Sequence, residues 1–299
     1  MSKSKKLIFF GNERLATGVS TTAPVLRSLV AAGYDIEAVI ANHQDPVSRQ
    51  KRGLEIGLVA QKYKIPVILP GKNIPLAQKL KKYQAAAAVL VAFGQIIPKE
   101  VIDMFPAGII NIHPSLLPKL RGPTPVETAI MDNLDETGVS LMKISEKMDA
   151  GPVYAQEKLA LNGHETKFEL ADRLNYIGAN LLVKHLGAIL DGDIKPKPQD
   201  NSQATYTKML SKSDGIIDFD KQPAELIERR VRAYQGYPKT RAILYGNEVV
   251  LTAVRLAEGK GDGGLVVKCK SGFLEIQELI APSGRTMSGA DFLRGYAKR

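Results

Sequence analysis

The densest run of chemistry-bearing residues in the chain is Asn111-Ile-His113-Pro-Ser-Leu-Leu-Pro118-Lys-Leu-Arg121-Gly122-Pro-Thr-Pro125. It starts at the end of an apolar run, Gly108–Ile112, that reads as a strand. Side chains two apart on a strand share a face, so Asn111 and His113 point the same way. An imidazole can move a proton near neutral pH, and an amide can donate to a developing oxyanion. Pro114, Pro118, Pro123 and Pro125 stiffen the loop that follows, which pre-organises a surface for binding. A lone Asn-x-His is also the mark of a structural strand end, and the proline-rich continuation is what separates this run from that reading. A second cluster is Met148-Asp149-Ala150-Gly151-Pro152. An aspartate there is by itself a turn former, but Asn, His and Asp together are the smallest set that can polarise a carbonyl and relay a proton. A third segment, Ala92-Phe93-Gly94-Gln95-Ile96-Ile97-Pro98, closes a second buried run. Gly94 would allow close backbone approach and the apolar residues could wall a flat ring; a strand-to-helix turn packed on the core fits the same letters.

Other chemistries are excluded by what these stretches lack. The first strand-to-helix junction, Phe10-Gly11-Asn12-Glu13-Arg14-Leu15-Ala16-Thr17-Gly18, has neither the glycine spacing of a dinucleotide-binding turn nor a phosphate-cradling loop. The four histidines, His43, His113, His164 and His185, are scattered, and Cys269 is the single cysteine. Neither a thiolate metal site nor a disulfide framework can be built from them, so no metal is expected and a reducing, cytoplasmic setting fits. No segment approaches the roughly 20 apolar residues of a membrane span. The run Leu7–Phe10 is too short for a signal-peptide core of about 7–15 residues. The net charge is +10, which attracts phosphates and nucleic acid. From Thr207 onward there are 16 Lys+Arg against 11 Asp+Glu, a net of +5 carried by the shorter part of the chain.

The elements that must position these residues alternate. Strands are expected at Lys6–Gly11, Asp35–Ala41, Pro66–Leu69, Ala86–Ala92 and Gly108–Ile112, with helices at Thr22–Ala32 and Leu54–Tyr63. Such alternation argues for α/β architecture, a mostly parallel sheet covered by helices. Val139–Ser145 and Val153–Leu161 read as further strands. Thr166-Lys-Phe-Glu169 has the capping-box pattern, and Leu170, Leu174, Ile177 and Leu181 form one helical stripe. The polar stretch Asp193–Tyr206, with Pro196 and Pro198, reads as a linker. Beyond it lie a helix near Pro223–Tyr234, with Arg229, Arg230 and Arg232 off its apolar face, and several short strands punctuated by glycine turns, which suggest a small β-barrel. The expected divisions are 1–192, a linker at 193–206, and 207–299.

Taken together, Phe93–Pro98, Asn111-x-His113-Pro-Ser-Leu-Leu-Pro-Lys-x-Arg-Gly, Thr137-Gly138-Val139 and Met148-Asp149-Ala150-Gly151 resemble the folate-dependent formyltransferase family in order and spacing as well as residue type. The resemblance covers roughly residues 6–190. It implies a Rossmann-like catalytic domain followed by an OB-like barrel, with Asn111, His113 and Asp149 as the catalytic trio and 10-formyltetrahydrofolate as the donor. It places the pterin against Phe93, Gly94, Gln95, Ile96, Ile97 and Pro98, and the rest of the folate along Ser115, Leu116, Leu117 and Pro118. The tail, with Tyr206-Thr-Lys208-Met, Asp214-Gly-Ile-Ile-Asp218-Phe and Val231-Arg-Ala-Tyr-Gln-Gly-Tyr-Pro238, resembles the C-terminal domain of the members that act on initiator methionyl-tRNA. That tRNA and the folate are therefore the expected partners of a cytoplasmic monomer with no membrane partner. Lys208, Arg229, Arg230 and Arg232 are the expected backbone contacts. Those members carry a longer basic insert after the second strand, where this chain has the short stretch 42–53, and Arg49, Lys51 and Arg52 are expected to serve in its place. The loop Asn12–Thr21 also departs from the family's Thr-Pro pattern. A family member acting on an amino-sugar nucleotide, and a non-catalytic RNA binder on the same scaffold, are the competing readings; the dense basic tail disfavours the first and the complete Asn/His/Asp set the second.

Overall fold

The structure, a computed structural model, describes residues 5–42, 54–70, 75–259 and 264–297. The chain packs into two compact units. The first comprises Met1–Pro125, Glu136–Ala160 and Ala171–Lys208, and the second Val126–Asp135, Leu161–Leu170 and Met209–Arg299.

In the first unit, strands and helices alternate as β1 (Lys6–Gly11), α1 (Pro24–Ala31), β2 (Asp35–Ile40), α2 (Glu55–Lys62), β3 (Val67–Ile68), α3 (Leu76–Leu80), β4 (Ala87–Val91), α4 (Lys99–Ile102) and β5 (Ile109–His113). After α5 (Pro125–Met131), which belongs to the second unit from Val126 on, come β6 (Glu136–Lys143), β7 (Val153–Ala160) and α6 (Lys167–Asp191), which belongs to the first unit from Ala171 on. The sheet runs β3-β2-β1-β4-β5-β6-β7. Its first five strands are parallel, and β6 and β7 are antiparallel additions at the edge. Every residue of β4 and of β5 is buried, which is why both read as unbroken runs rather than alternations. The chain turns outward on both sides of the β1/β4 pair, and open α/β sheets bind ligands beyond the carboxyl ends of strands near such a switch. The third segment leaves β4 at that end, and the Asn/His pair sits at that end of β5.

Helix α6 holds the edge of this sheet in place. Leu174, Leu181, Leu182 and Leu186 are buried on one stripe, each contributing about 1.5–3 kcal/mol relative to exposure. Between them Gly178 meets the sheet: a Cβ there would lie 2.7 Å from Ile112 Cγ2, so only glycine lets the helix rest directly on β5. Its start is the expected capping box, with Thr166 N–H donating to Glu169 Oε2 at 3.0 Å and Glu169 N–H to Thr166 Oγ1 at 3.3 Å. In the middle of the sheet, Glu13 follows β1 and accepts from the Val25 and Leu26 amides, both at 2.8 Å, thereby capping α1 from a distance. Burial pushes its carboxyl up to about 7, against the downward pull of those amides and of Arg27.

Residues 193–206, expected as a linker, lie along the first unit as a bonded strap. Val153 and Lys197 exchange backbone hydrogen bonds of 2.8 Å, 201–203 form a single 3-10 turn, and Tyr206 pairs with Arg121.

The second unit contains α7 (Ala224–Ala233), β8 (Thr240–Leu244), β9 (Asn247–Ala257), β10 (Leu265–Lys268), β11 (Phe273–Ile280), β12 (Thr286–Ser288) and α8 (Gly289–Tyr296). The antiparallel sheet is ordered β10-β11-β9-β8, with β12 also on β11. It forms a half-barrel around Ile227, Val231, Leu251, Leu274, Leu279 and Phe292. In the same unit Lys167 and Glu127 are both buried, their Nζ and Oε1 atoms 3.6 Å apart.

Candidate active site

β5 delivers Asn111 and His113, both buried, at its carboxyl end. The proline-rich loop then folds back over them. Ser115 Oγ donates to the Lys119 carbonyl at 2.7 Å, Leu117 N–H donates to Ser140 Oγ at 3.0 Å, and Gln156 Nε2 donates to the Leu117 carbonyl at 2.8 Å. These bonds fasten the loop to β6 and β7, so its shape is set before any ligand arrives. The returning segment holds the two other groups. The Leu120 carbonyl lies 3.0 Å from His113 Nε2, and Gly122 N–H donates to Asp149 Oδ2 at 2.8 Å.

A carbonyl only accepts, so His113 Nε2 carries the hydrogen and Nδ1 is the nitrogen turned to Asp149. Nδ1 stands 3.8 Å from Asp149 Oδ1. That is longer than a hydrogen bond. Asp149 itself has a φ of 46°, in the left-handed region that aspartate tolerates better than most side chains. Gly151 closes the same turn against β6: a Cβ there would fall 1.8 Å from the Lys143 carbonyl oxygen.

Beside this turn opens a cleft of about 830 Å³, lined among others by Ile102, Arg121, Lys147, Met148, Ala150 and Tyr206. The segment after β4 is split in its exposure. Phe93 is 3% exposed and packs edge-on to Phe10, with ring centroids 5.5 Å apart, and Ile97 is buried with it. Ile96 is 93% exposed, and Gly94, Gln95 and Pro98 are also at the surface, with Gln95 Nε2 donating to Asn42 Oδ1. Ser115 and Leu117 are interior, while Leu116 and Pro118 are half-buried. Within Phe93–Ile97 the side chains of Phe93 and Ile97 anchor the loop in the core, and those of Gln95 and Ile96 are exposed.

Similarity to known proteins extends along most of the chain. Residues 17–186 match the Formyl transferase family and residues 209–297 the family Formyl transferase, C-terminal domain. A methionyl-tRNA formyltransferase of Chloroflexus aurantiacus is 36% identical over 97% of this chain and 96% of its own length. One from Coxiella burnetii is 31% identical over 99% and 97%. The chain belongs to the formyltransferase family.

Solved structures share the formyltransferase fold at lower identity. HypX of Aquifex aeolicus superposes with a TM-score of 0.70 at 18% identity, covering 99% of this chain, which spans about half the HypX chain. The N-formyltransferase of Helicobacter canadensis, in complex with folinic acid and dTDP-3-aminofucose, gives 0.67 at 19%, covering 91% of this chain and 98% of its own.

The basic residues of this formyltransferase divide by their surroundings. Arg49, Lys51 and Arg52 lie outside the described residues. Lys208 is exposed. Arg229, Arg230 and Arg232 are half-buried on α7. Arg230 Nη1 donates to Gln222 Oε1 at 3.1 Å and its guanidinium lies 5.9 Å from the Tyr234 ring centre. Arg232 is committed within its own unit: Nε and Nη2 bond Glu228 at 2.6 and 2.9 Å, and Nη1 donates to the Glu165 carbonyl at 2.8 Å. Reading the sequence did not single out Arg121, Gln199, Ser140 or Gln156 by role. The available signal was that Arg121 stands inside the Asn/His motif and that Gln199 stands in a stretch with few apolar residues to explain its order.

Proposed function

We propose that this formyltransferase moves the formyl group of 10-formyltetrahydrofolate to the α-amino group of methionyl-initiator tRNA, acting as a monomer in the cytoplasm. The observation that carries the reading is Asp149 standing beside His113, which shares the end of β5 with Asn111, in a chain matched end to end by methionyl-tRNA formyltransferases.

The donor fits the residues present. The exposed Ile96 side chain and the cleft beside Met148 and Ala150 offer apolar surface and room for a flat ring, and Leu116 and Pro118 stand along the loop for the rest of the molecule. The folate supplies an activated formyl group on nitrogen and leaves as the amine. The chain's own residues then have three tasks. Asn111 donates its amide to the formyl oxygen as negative charge gathers there. His113, held by Leu120 through Nε2–H, keeps its ring edge fixed beside the reacting centre, with Nδ1 turned towards Asp149. Asp149 also accepts the proton that the attacking amine must lose and passes it on towards the departing nitrogen. The buried setting strengthens each of these interactions relative to water. Lys208, Arg229 and Arg230 are assigned to the phosphate backbone of the acceptor. Arg232, in view of its intramolecular bonds, is assigned to holding α7.

The test is a panel of acceptors offered with 10-formyltetrahydrofolate: methionyl-initiator tRNA, methionyl-elongator tRNA, and a nucleotide-linked amino sugar. Formylation of the initiator tRNA in preference to the others supports the reading. Turnover confined to the amino sugar keeps the trio and overturns the acceptor.

A further inference from the structure

We infer that Gln199 and Arg121 are positioning residues for Asp149, so that the strap of 199–207 is a working part of the active centre. This rests on the role proposed above for Asp149.

The Gln199 side chain has all four of its hydrogen-bonding capacities filled. Nε2 donates to the carbonyls of Asp149 at 2.8 Å and Gly151 at 2.6 Å. Oε1 accepts from Arg121 Nε at 3.1 Å and Nη2 at 2.7 Å. An amide offers two donors and one two-lone-pair acceptor, so nothing remains for solvent. The two donated bonds bracket the Asp149 turn on either side of Ala150. That is where help is needed, because a non-glycine residue at positive φ is strained and persists only when its surroundings impose it.

Arg121 is the anchor. It is 2% exposed, and besides Gln199 its guanidinium reaches Asn201 Oδ1 at 2.8 Å and the Tyr206 hydroxyl at 3.3 Å. Its backbone is held as well: Arg121 N–H donates to the Thr205 carbonyl at 2.9 Å, and Thr207 N–H donates to the Arg121 carbonyl at 2.7 Å. Its neighbours on either side are Leu120, which binds His113, and Gly122, which binds Asp149 Oδ2. One clamp thus fixes the aspartate's main chain through Gln199, its carboxylate through Gly122, and the histidine through Leu120. The strap ends at Lys208, where the chain passes into the second unit.

The decisive variant is Gln199→Glu, with Gln199→Ala and Arg121→Lys beside it. Glutamate keeps the acceptor for Arg121, as a charge-assisted bond, but has no hydrogens for the Asp149 and Gly151 carbonyls and faces them with an oxygen. A tether needs only the bond to Arg121; a positioning residue needs the two donated bonds. Formylation of methionyl-initiator tRNA is followed with each substrate varied in turn at saturating levels of the other, with thermal melts to fix the folded fraction. Gln199→Glu and Gln199→Ala should lose roughly 10–100-fold in kcat, the range typical for residues that orient a functional group, with KM for both substrates little changed. Arg121→Lys should lie between them and the wild type. A Gln199→Glu enzyme with wild-type kcat, a loss confined to KM, or loss of folded protein in both Gln199 variants overturns the positioning role. Failure of the wild-type protein to formylate the tRNA overturns the functional reading itself.

Discussion

Lys167 and Glu127 form a pair with 0% and 2% of their side chains exposed, 3.6 Å apart. Their attraction at an effective dielectric of about 20 is about 4–5 kcal/mol. Desolvating two ions costs several kcal/mol each, so the pair is close to neutral as a whole and costly to break. Lys167 Nζ also donates to the Tyr237 carbonyl at 2.7 Å, whereas neither Glu127 oxygen has a hydrogen-bond partner among the described residues. Replacing Lys167 by methionine strands the carboxylate and should cost about 3–5 kcal/mol. The cost is capped because Glu127 can protonate: burial already holds its carboxyl above the usual range, and losing Lys167 removes the opposing pull. Adding Glu127→Met to Lys167→Met removes the stranded group, leaving the Tyr237 carbonyl without this donor at about 1–3 kcal/mol. The double variant should therefore be more stable than Lys167→Met alone. Urea unfolding of the wild type, both singles and the double completes the cycle. Single losses that simply add, or a Lys167→Met loss below about 1 kcal/mol, would refute the reasoning, since surface-like pairs behave that way.

Glu13 predicts a pH signature. Its carboxyl is raised from 4.5 to about 7 by burial, so between those pH values the folded state binds more protons there than the unfolded chain, and stability falls as pH rises through the window. The contribution is at most about 3 kcal/mol; the stability gap between wild type and Glu13→Gln should shift by that sign between pH 5 and 7, and a constant gap contradicts it. Gly151→Ala places a Cβ 1.8 Å from the Lys143 carbonyl, so the Asp149 turn must move. A shift of about 1 Å at a reacting group can cost roughly 100-fold, and single-turnover transfer at wild-type speed would show that the turn is not critical. For tRNA, Lys208→Ala, Arg229→Ala or Arg230→Ala should each weaken binding and lower the salt slope by about 1. Arg232→Ala should instead lower the melting temperature, because Glu228 and the Glu165 carbonyl lose their partner; the opposite pattern in filter-binding and thermal melts would reverse the assignments.

The parallel half of the fold was legible because its strands are buried on both faces and write themselves as apolar runs; Ala87–Val91 and Ile109–His113 differ from the expected strands by one residue at each end. The capping box of α6 was legible because two side chains three residues apart determine it locally. The Asn111/His113 pairing followed from strand period. What the letters hid depends on long-range bonds. Residues 193–206 look like a linker because they are polar, yet polar side chains such as Gln199 are what bind the Asp149 turn and Arg121. Phe93 was legible as an aromatic near the site, but whether it faces out or in is decided by Phe10, more than 80 residues earlier. β12 and α8 escaped because three residues make a weak strand signal, and the cap from Ser288 to the Asp291 amide is visible only with the chain folded.

In the proposed function, Asn111, His113 and Asp149 carry formyl transfer to an aminoacylated tRNA. The most direct measurement is the single-turnover rate of formyl transfer from 10-formyltetrahydrofolate to methionyl-initiator tRNA by wild type and Asp149→Asn. Asparagine can still accept from Gly122 N–H but removes the charge facing His113 Nδ1. The expected result is transfer by the wild type and a rate roughly 100–10,000-fold lower in the variant at unchanged folding. Equal rates in the two proteins, or no transfer by the wild type, would contradict it.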